Sequence, residues 1–393
     1  MNGTIYMPVG KVCSSISDTY REKKNMVTLI NTSDVLEGRV LNHERVPNSN
    51  LKGQFKKTFQ RDDILYSEIR PQNRRFAYVD FSPIDYIAST KLMVIRAKKD
   101  VVSPKYLYYF LKNSSTVAEL QLLAETRSGT FPQITFSEVA NLTIPVPSLA
   151  VQEVIVQTMQ CLEDKITCNE QINDNLEQQA QSYFQELFVD NADPEWAIGT
   201  ISDLGTVVGG STPSKAKPEY YTESGIAWIT PKDLSINKSK FVSHGENDIT
   251  ELGLKNSSAA IMPEGTVLFS SRAPIGYIAI AAGEVTTNQG FKSVVPKPEI
   301  GTPFVYFFLK NTLPVIEGMA SGSTFKEVSG STMKNVPAVI PDAETLAKFS
   351  DFCAPIFAQQ RILEEQNQSL ATLRDNLLPK LMSGEIDVSA VQL

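Results

Sequence analysis

The sequence predicts an α/β (α+β) fold in tandem: two related mixed domains, separated and followed by long helices that pair as an antiparallel coiled coil, with the halves related by a pseudo-twofold internal repeat. Three observations predict it. Segments of the first half recur in the same order in the second, each half opens with short strand-like runs and one aromatic helix, and each half closes on a three-four ladder of apolar residues. The expected segments are two domains over 1–148 and 191–342, two helices over 149–190 and 343–385, and a tail over 386–393. A chain of 393 residues suits two or three domains.

The repeat is read from four matches. Tyr106–Asn113 recurs as Phe304–Asn311, Ser128-Gly-Thr-Phe131 as Ser321-Gly-Ser-Thr-Phe325, Asn141–Pro147 as Asn335–Pro341, and Ile64–Ser67 as Val267–Ser270. Two copies are too few for a solenoid, so each half needs its own core. Val27–Ile30, Lys91–Ile95, Ile226–Ile229 and Thr266–Phe269 read as strands from their β-branched and aromatic content. Pro104 and Pro303 stand where a helix begins. Tyr106, Tyr109 and Phe110 lie at helical spacing and read as core before they read as a stacking platform for bases.

The ladder of the first helix includes Leu162, Ile166, Asn173, Leu176 and Leu187, and that of the second Ile356, Leu363, Asn367, Leu370, Leu377 and Leu381. Sustained three-four spacing is a coiled-coil signal. Asn173 and Asn367 occupy matching rungs, where a polar residue either sets the register or points outward. Pro355 and Pro379 are expected to bend or end the second helix. A helix of about 35 residues is roughly 50 Å long, enough to hold two readers at a spacing comparable to turns of a duplex. A protein-binding adaptor could use the same strut.

Charge is unevenly spread. The whole chain carries −7, but residues 1–150 net +6, residues 151–198 net −9, and the two remaining stretches −2 each. Different segments therefore face different partners. Four cysteines without paired spacing and two distant histidines argue against a disulfide framework and a metal site. No apolar run reaches membrane-spanning length and no secretory leader is legible, so a cytoplasmic location is expected. Phosphate-loop, dinucleotide and base-flipping methyltransferase motifs are missing, and Asp62-Asp63 and Glu364-Glu365 read as solvated faces. The expected chain is not an enzyme.

Binding chemistry is better supplied. Arg70, Gln72, Asn73, Arg74 and Arg75 form a polar loop after the Ile64–Ser67 strand, and Lys56 and Lys57 belong to a second basic stretch. The matching loops of the second half hold Ser271 and Arg272, then Asn288, Gln289 and Lys292. Arginine can bond guanine, Gln and Asn can bond adenine, and any cation can pair with phosphate. Taken singly, each residue is as readily a solvated surface group.

The tandem layout, the Gly210-Ser-Thr-Pro-Ser214 loop, the Ser321–Phe325 segment and the ending Leu377-Leu-Pro-Lys-Leu-Met-Ser-Gly-Glu-Ile386 resemble the specificity (S) subunits of type I restriction–modification systems. The resemblance adds Thr212 and Thr324 to the candidate DNA-binding residues. It implies that each target-recognition domain reads one half of a bipartite DNA target. It also implies that the helices set the spacer and dock two methyltransferase (M) subunits, with restriction (R) subunits joining. No cofactor is then expected in this chain: S-adenosylmethionine belongs to the methyltransferase partner, and ATP and Mg2+ to the restriction partner. The competing reading is a coiled-coil protein adaptor without DNA specificity. The first half lacks a Gly-Ser-Thr-Pro-Ser equivalent, so the halves are expected to read different sequences.

Overall fold

In a computed structural model the protein is described over residues 4–22, 24–49, 53–126, 132–272, 274–322 and 326–388. Thr324, Lys52 and most of the Ser128–Phe131 and Ser321–Phe325 repeats lie outside the described residues. The chain forms two compact units, Met1–Ile166 with Ser369–Leu393, and Thr167–Gln368.

In the first unit, Cys13–Ile16, Leu92–Ala97, Ile64–Ser67 and Phe76–Tyr78 make an antiparallel sheet in that spatial order. A second sheet runs Val46–Pro47, Met26–Ile30, Tyr86–Ser89 and Phe55–Lys57, with one parallel pair that sets Tyr86 opposite Thr28. Alternate side chains of the first sheet serve two cores, as strand geometry requires. Ile64, Tyr66, Met93 and Ile95 pack towards the helices, whereas Leu65, Leu92 and Val94 pack with Ile30 and Ala88 of the second sheet. Both faces are covered, which is why these strands read as unbroken apolar runs.

The second unit repeats the plan. Its first sheet runs Gly205–Gly209, Lys292–Pro296, Val267–Ser271, Ile275–Ala281 and Phe241–Val242, and its second Tyr221–Thr222, Asn247–Ile249, Ile226–Ile229 and Thr286–Thr287. Trp228 opposite Thr286 repeats the parallel pair. A two-stranded ribbon closes each unit, Ile5–Pro8 with Thr143–Val146 and Ala197–Thr200 with Pro337–Ile340. The aromatic helices are Pro104–Lys112 and Thr302–Met319, each with proline in its first turn. Tyr106 and Tyr109 are fully buried, so the stripe is core.

The long helices run over Leu149–Gln185, continued by a π-helical turn Glu186–Asp190, and over Ala343–Ser383. Within the second unit the two helices pair antiparallel. Ile356 and Leu363 are buried, and Leu176 and Leu187 pack against that unit's core. In the first unit Leu162 and Leu377 flank a core that contains Met159, Leu378 and Leu381, while Ile166 and Leu370 are half-buried. Pro355 and Pro379 do not end the second helix as expected. Both prolines are exposed, while Cys353 and Ile356, and Leu378 and Leu381, are buried on either side and hold the helix in place.

The seam asparagines point inward, with different partners from those that matching rungs imply. Asn169 Nδ2 donates to Asn367 Oδ1 at 2.8 Å, and Asn173 Nδ2 donates to Gln360 O at 3.4 Å. The antiparallel direction sets each asparagine opposite a residue of the other helix that is not its repeat equivalent.

Candidate nucleic-acid interface

The Gly-rich loop of the second unit leaves the strand Gly205–Gly209 and meets the loop after Thr286–Thr287. At Gly210 a β-carbon would fall well inside contact distance of Asn288 O and Thr287 O, so only glycine lets the two loops approach. Ser211 N donates to Thr287 O at 2.8 Å, Trp228 Nε1 to Ser211 O at 3.0 Å, and Tyr221 OH to Pro213 O at 2.6 Å. Across the junction the Thr212 hydroxyl donates to Gln289 Oε1. Asn288 Oδ1 accepts from Gly290 N at 2.8 Å, which shapes the second loop. Three sequence-proposed residues, Thr212, Asn288 and Gln289, thus line one cleft of about 560 Å³.

Trp228 and Tyr221 line the cleft, edge to face at 5.6 Å. One side is the turn from Ile226–Ile229 into the helix Pro231–Ile236. Asp233 Oδ2 accepts from Thr230 N at 2.7 Å and from Thr230 Oγ1 at 2.6 Å, and Oδ1 accepts from Glu246 N at 2.9 Å. Lys215, Lys232, Glu246 and Asn247 complete the polar lining. Lys232 and Glu246 pair at 2.5 Å on the surface, where such a pair adds little stability. A cleft with an aromatic base and amide, hydroxyl and ammonium groups at its mouth can exchange hydrogen bonds with the edges of nucleobases. The reading from sequence missed Trp228, Tyr221, Lys215, Lys232 and Asn247. The signal that could have found this wall is Thr230-Pro-Lys-Asp233, a strand-to-helix capping sequence.

The other proposed residues of this unit divide. Ser271 is fully buried and its hydroxyl donates to Gly290 O at 3.1 Å, so it supports the loop and cannot reach a ligand. Arg272 and Lys292 both pair with Glu327, at 3.6 and 3.7 Å, and Lys292 Nζ also donates to Gln289 O at 3.4 Å.

In the first unit, Arg70 and Arg74 flank the short turn Pro71–Asn73 with left-handed φ of 44° and 51°. Non-glycine residues pay roughly 1 kcal/mol or more for that conformation, and such positions cluster at functional sites. The turn holds Gln72 and Asn73 exposed. Arg74 Nη2 donates to Ser114 Oγ at 2.9 Å and Arg75 Nη1 to Ser33 O at 3.0 Å, so both guanidiniums brace the loop. Lys57 is also structural: Nζ donates to Thr90 O and Leu92 O at 3.0 and 2.8 Å, and burial pulls its ammonium below the ordinary value. Lys56 is exposed.

One member of each acidic pair departs from the solvated face expected, while Glu365 is exposed. Asp63 is buried and takes both hydrogen bonds of Arg96 at 2.7 Å. Glu364 accepts from the backbone of Lys240 and Phe241 at 2.8 and 3.0 Å, and burial raises its carboxyl. Among the described residues no group of three or more His, Cys, Asp or Glu could hold a metal ion, and no helix is long and apolar enough to cross a membrane.

The chain is similar to known proteins over nearly its whole length. Residues 12–178 and 194–373 both match the family described as the type I restriction modification DNA specificity domain. The HindI specificity subunit of Haemophilus influenzae is 29% identical over 92% of this chain and 94% of its own. The MjaIX specificity subunit of Methanocaldococcus jannaschii is 39% identical over 47% of this chain and 45% of its own. A crystal structure of a type I restriction–modification S subunit from M. genitalium covers 97% of this chain and 96% of its own, with a TM-score of 0.56 at 17% identity. That last likeness concerns the fold.

Proposed function

The chain belongs to the type I restriction–modification DNA specificity family, and we propose that it chooses the DNA target for such a complex, each of its two units reading one half of a split sequence. The observation that carries this is the double match, one domain per compact unit. In the second unit Gln289, Asn288 and Thr212 meet the bases, with Lys215 available to phosphate. In the first, Gln72 and Asn73 occupy the corresponding role on a turn braced by Arg74 and Arg75.

The chain works with DNA and methyltransferase subunits. In our reading two such subunits dock on it and carry S-adenosylmethionine, while restriction subunits bring ATP and Mg2+. The long helices set the length of the unread spacer. The chain itself performs no chemistry and acts in the cytoplasm. Methylation mapping of a host that expresses the chain with its methyltransferase partner tests this. A split motif is expected, and a continuous motif or none would overturn the reading. A duplex-binding assay adds the second criterion: sequence-specific, salt-sensitive binding that strengthens with the methyltransferase, whereas an adaptor shows no sequence preference.

A further inference from the structure

Beside the cleft of the second unit one carboxylate faces two cations. Glu327 lies 3.6 Å from Arg272 and 3.7 Å from Lys292, and the three side chains are 40%, 37% and 15% exposed. Backbone bonds hold the main chain of Glu327 from two sides. Glu327 N donates to Ser321 O and Ser321 N to Glu327 O, at 2.8 and 3.1 Å, and Glu327 forms an isolated antiparallel bridge with Arg272. Lys292 joins this group to the cleft through Gln289 O.

The first unit has the same bridge with the charges rearranged. Ile69 pairs there with Gln133, and the carboxylate belongs to the neighbouring Glu68, 3.4 Å from Lys91 Nζ. Lys91 Nζ also donates to Gln133 Oε1 at 3.2 Å. Both copies thus keep a carboxylate on a cation at one bridge, supplied from different positions of the sequence. Inheritance of a single ancestral residue does not account for that.

A cation available to any phosphate strengthens binding to all duplexes alike and lowers discrimination, since specificity is a ratio of affinities. A carboxylate already seated on the cation must be displaced before phosphate can take its place. Resting on the DNA-reading function above, we propose that Glu327 is a specificity-determining residue: it occupies Arg272 and Lys292 and so holds down sequence-independent DNA binding by the second unit, as Glu68 does in the first.

The test uses the full chain assembled with its methyltransferase subunits. Its probes are a cognate duplex taken from the methylation map and a scrambled duplex of equal length, titrated over a range of salt. Glu327→Gln is expected to tighten scrambled binding about five- to tenfold at low salt and to steepen its log–log salt slope by roughly one. Cognate affinity should change less, so the ratio falls. Scrambled affinity and slope at wild-type values, in a complex with unchanged melting, would overturn the proposal. So would weaker binding to both duplexes, which would make the carboxylate a guide for Arg272 rather than a competitor. Should Glu327→Gln fail to fold, Glu68→Gln decides by the same readout. A wild-type complex that does not distinguish the two duplexes overturns the DNA-reading function itself, and this inference with it.

Discussion

In the first unit Tyr109 OH and Lys112 Nζ converge on Glu163, whereas in the second Tyr306 OH, Lys310 and Lys240 converge on Glu177. Lys112 and Lys310 of the aromatic helices are copies of one another, but the carboxylates that receive them are not. Both acids stand on the first long helix. At the repeat shift of 194 their equivalents on the second helix are Phe357 and Ala371. Phe357 offers its ring to Lys240, whose Nζ lies 3.6 Å from the centroid. Duplication preserved the donor and the apolar frame, and each copy acquired its own acceptor. Part of the acidity of residues 151–198 is thus neutralised within the units.

The second anchor is the more deeply committed. Lys240 is buried, its Nζ bonded to Glu177 Oε2 at 2.7 Å and Gln360 Oε1 at 2.8 Å, and burial pushes its ammonium down to about 8. Burial would raise the Glu177 carboxyl, but Lys240 and Lys310 together hold it below its ordinary 4.5. Glu177→Ala removes the carboxylate bonded to the buried Lys240 Nζ and should cost about 3–5 kcal/mol in denaturant unfolding. Glu163→Ala removes the carboxylate paired with Lys112, whose side chain is 13% exposed against 7% for Lys240, and should cost less. Equal losses would erase the contrast between the anchors.

Gly210→Ala comes next. A methyl group there forces the two cleft loops apart, with an overpacking cost of about 1–3 kcal/mol, and should spoil only the half-site read by the second unit. Gln289→Ala should relax that half-site by about 1–3 kcal/mol of base discrimination while Gln72→Ala relaxes the other, as scored by methylation of single-substitution targets. Relaxation of the same half by both would break the assignment of one half-site per unit.

The smallest effect is a pH dependence. Because Glu177 has a lowered pKa in the folded chain, its share of stability is complete above about 4.5 and is lost as pH falls through the lower folded value. Lys240 acts on the alkaline side and with the opposite requirement. Between about 8 and 10.5 the unfolded chain holds a proton that the folded chain has released, so its share of stability rises with pH there. Glu177→Gln should flatten the acid limb of the unfolding free energy relative to wild type; an unchanged limb would assign acid sensitivity to other carboxylates.

Local pattern sufficed for much of the fold. The repeat, the aromatic helices opened by Pro104 and Pro303, and the strands Ile64–Ser67 and Ile226–Ile229 are legible because periodicity and β-branching act within a few residues. Thr212, named from the resemblance, and Asn288 and Gln289, named from the matching loops, line one cleft. Tertiary structure decided which charges are free. Arg75 and Lys57 are spent on carbonyls, Ser271 is buried, and Asp63 is held by Arg96, because a side chain's partner comes from whichever strand the sheet sets beside it. It also decided that Asn367 meets Asn169, and that Pro355 and Pro379 leave their helix unbroken. Helix direction and the packing of flanking residues are properties of the assembled unit, and no window of sequence contains them.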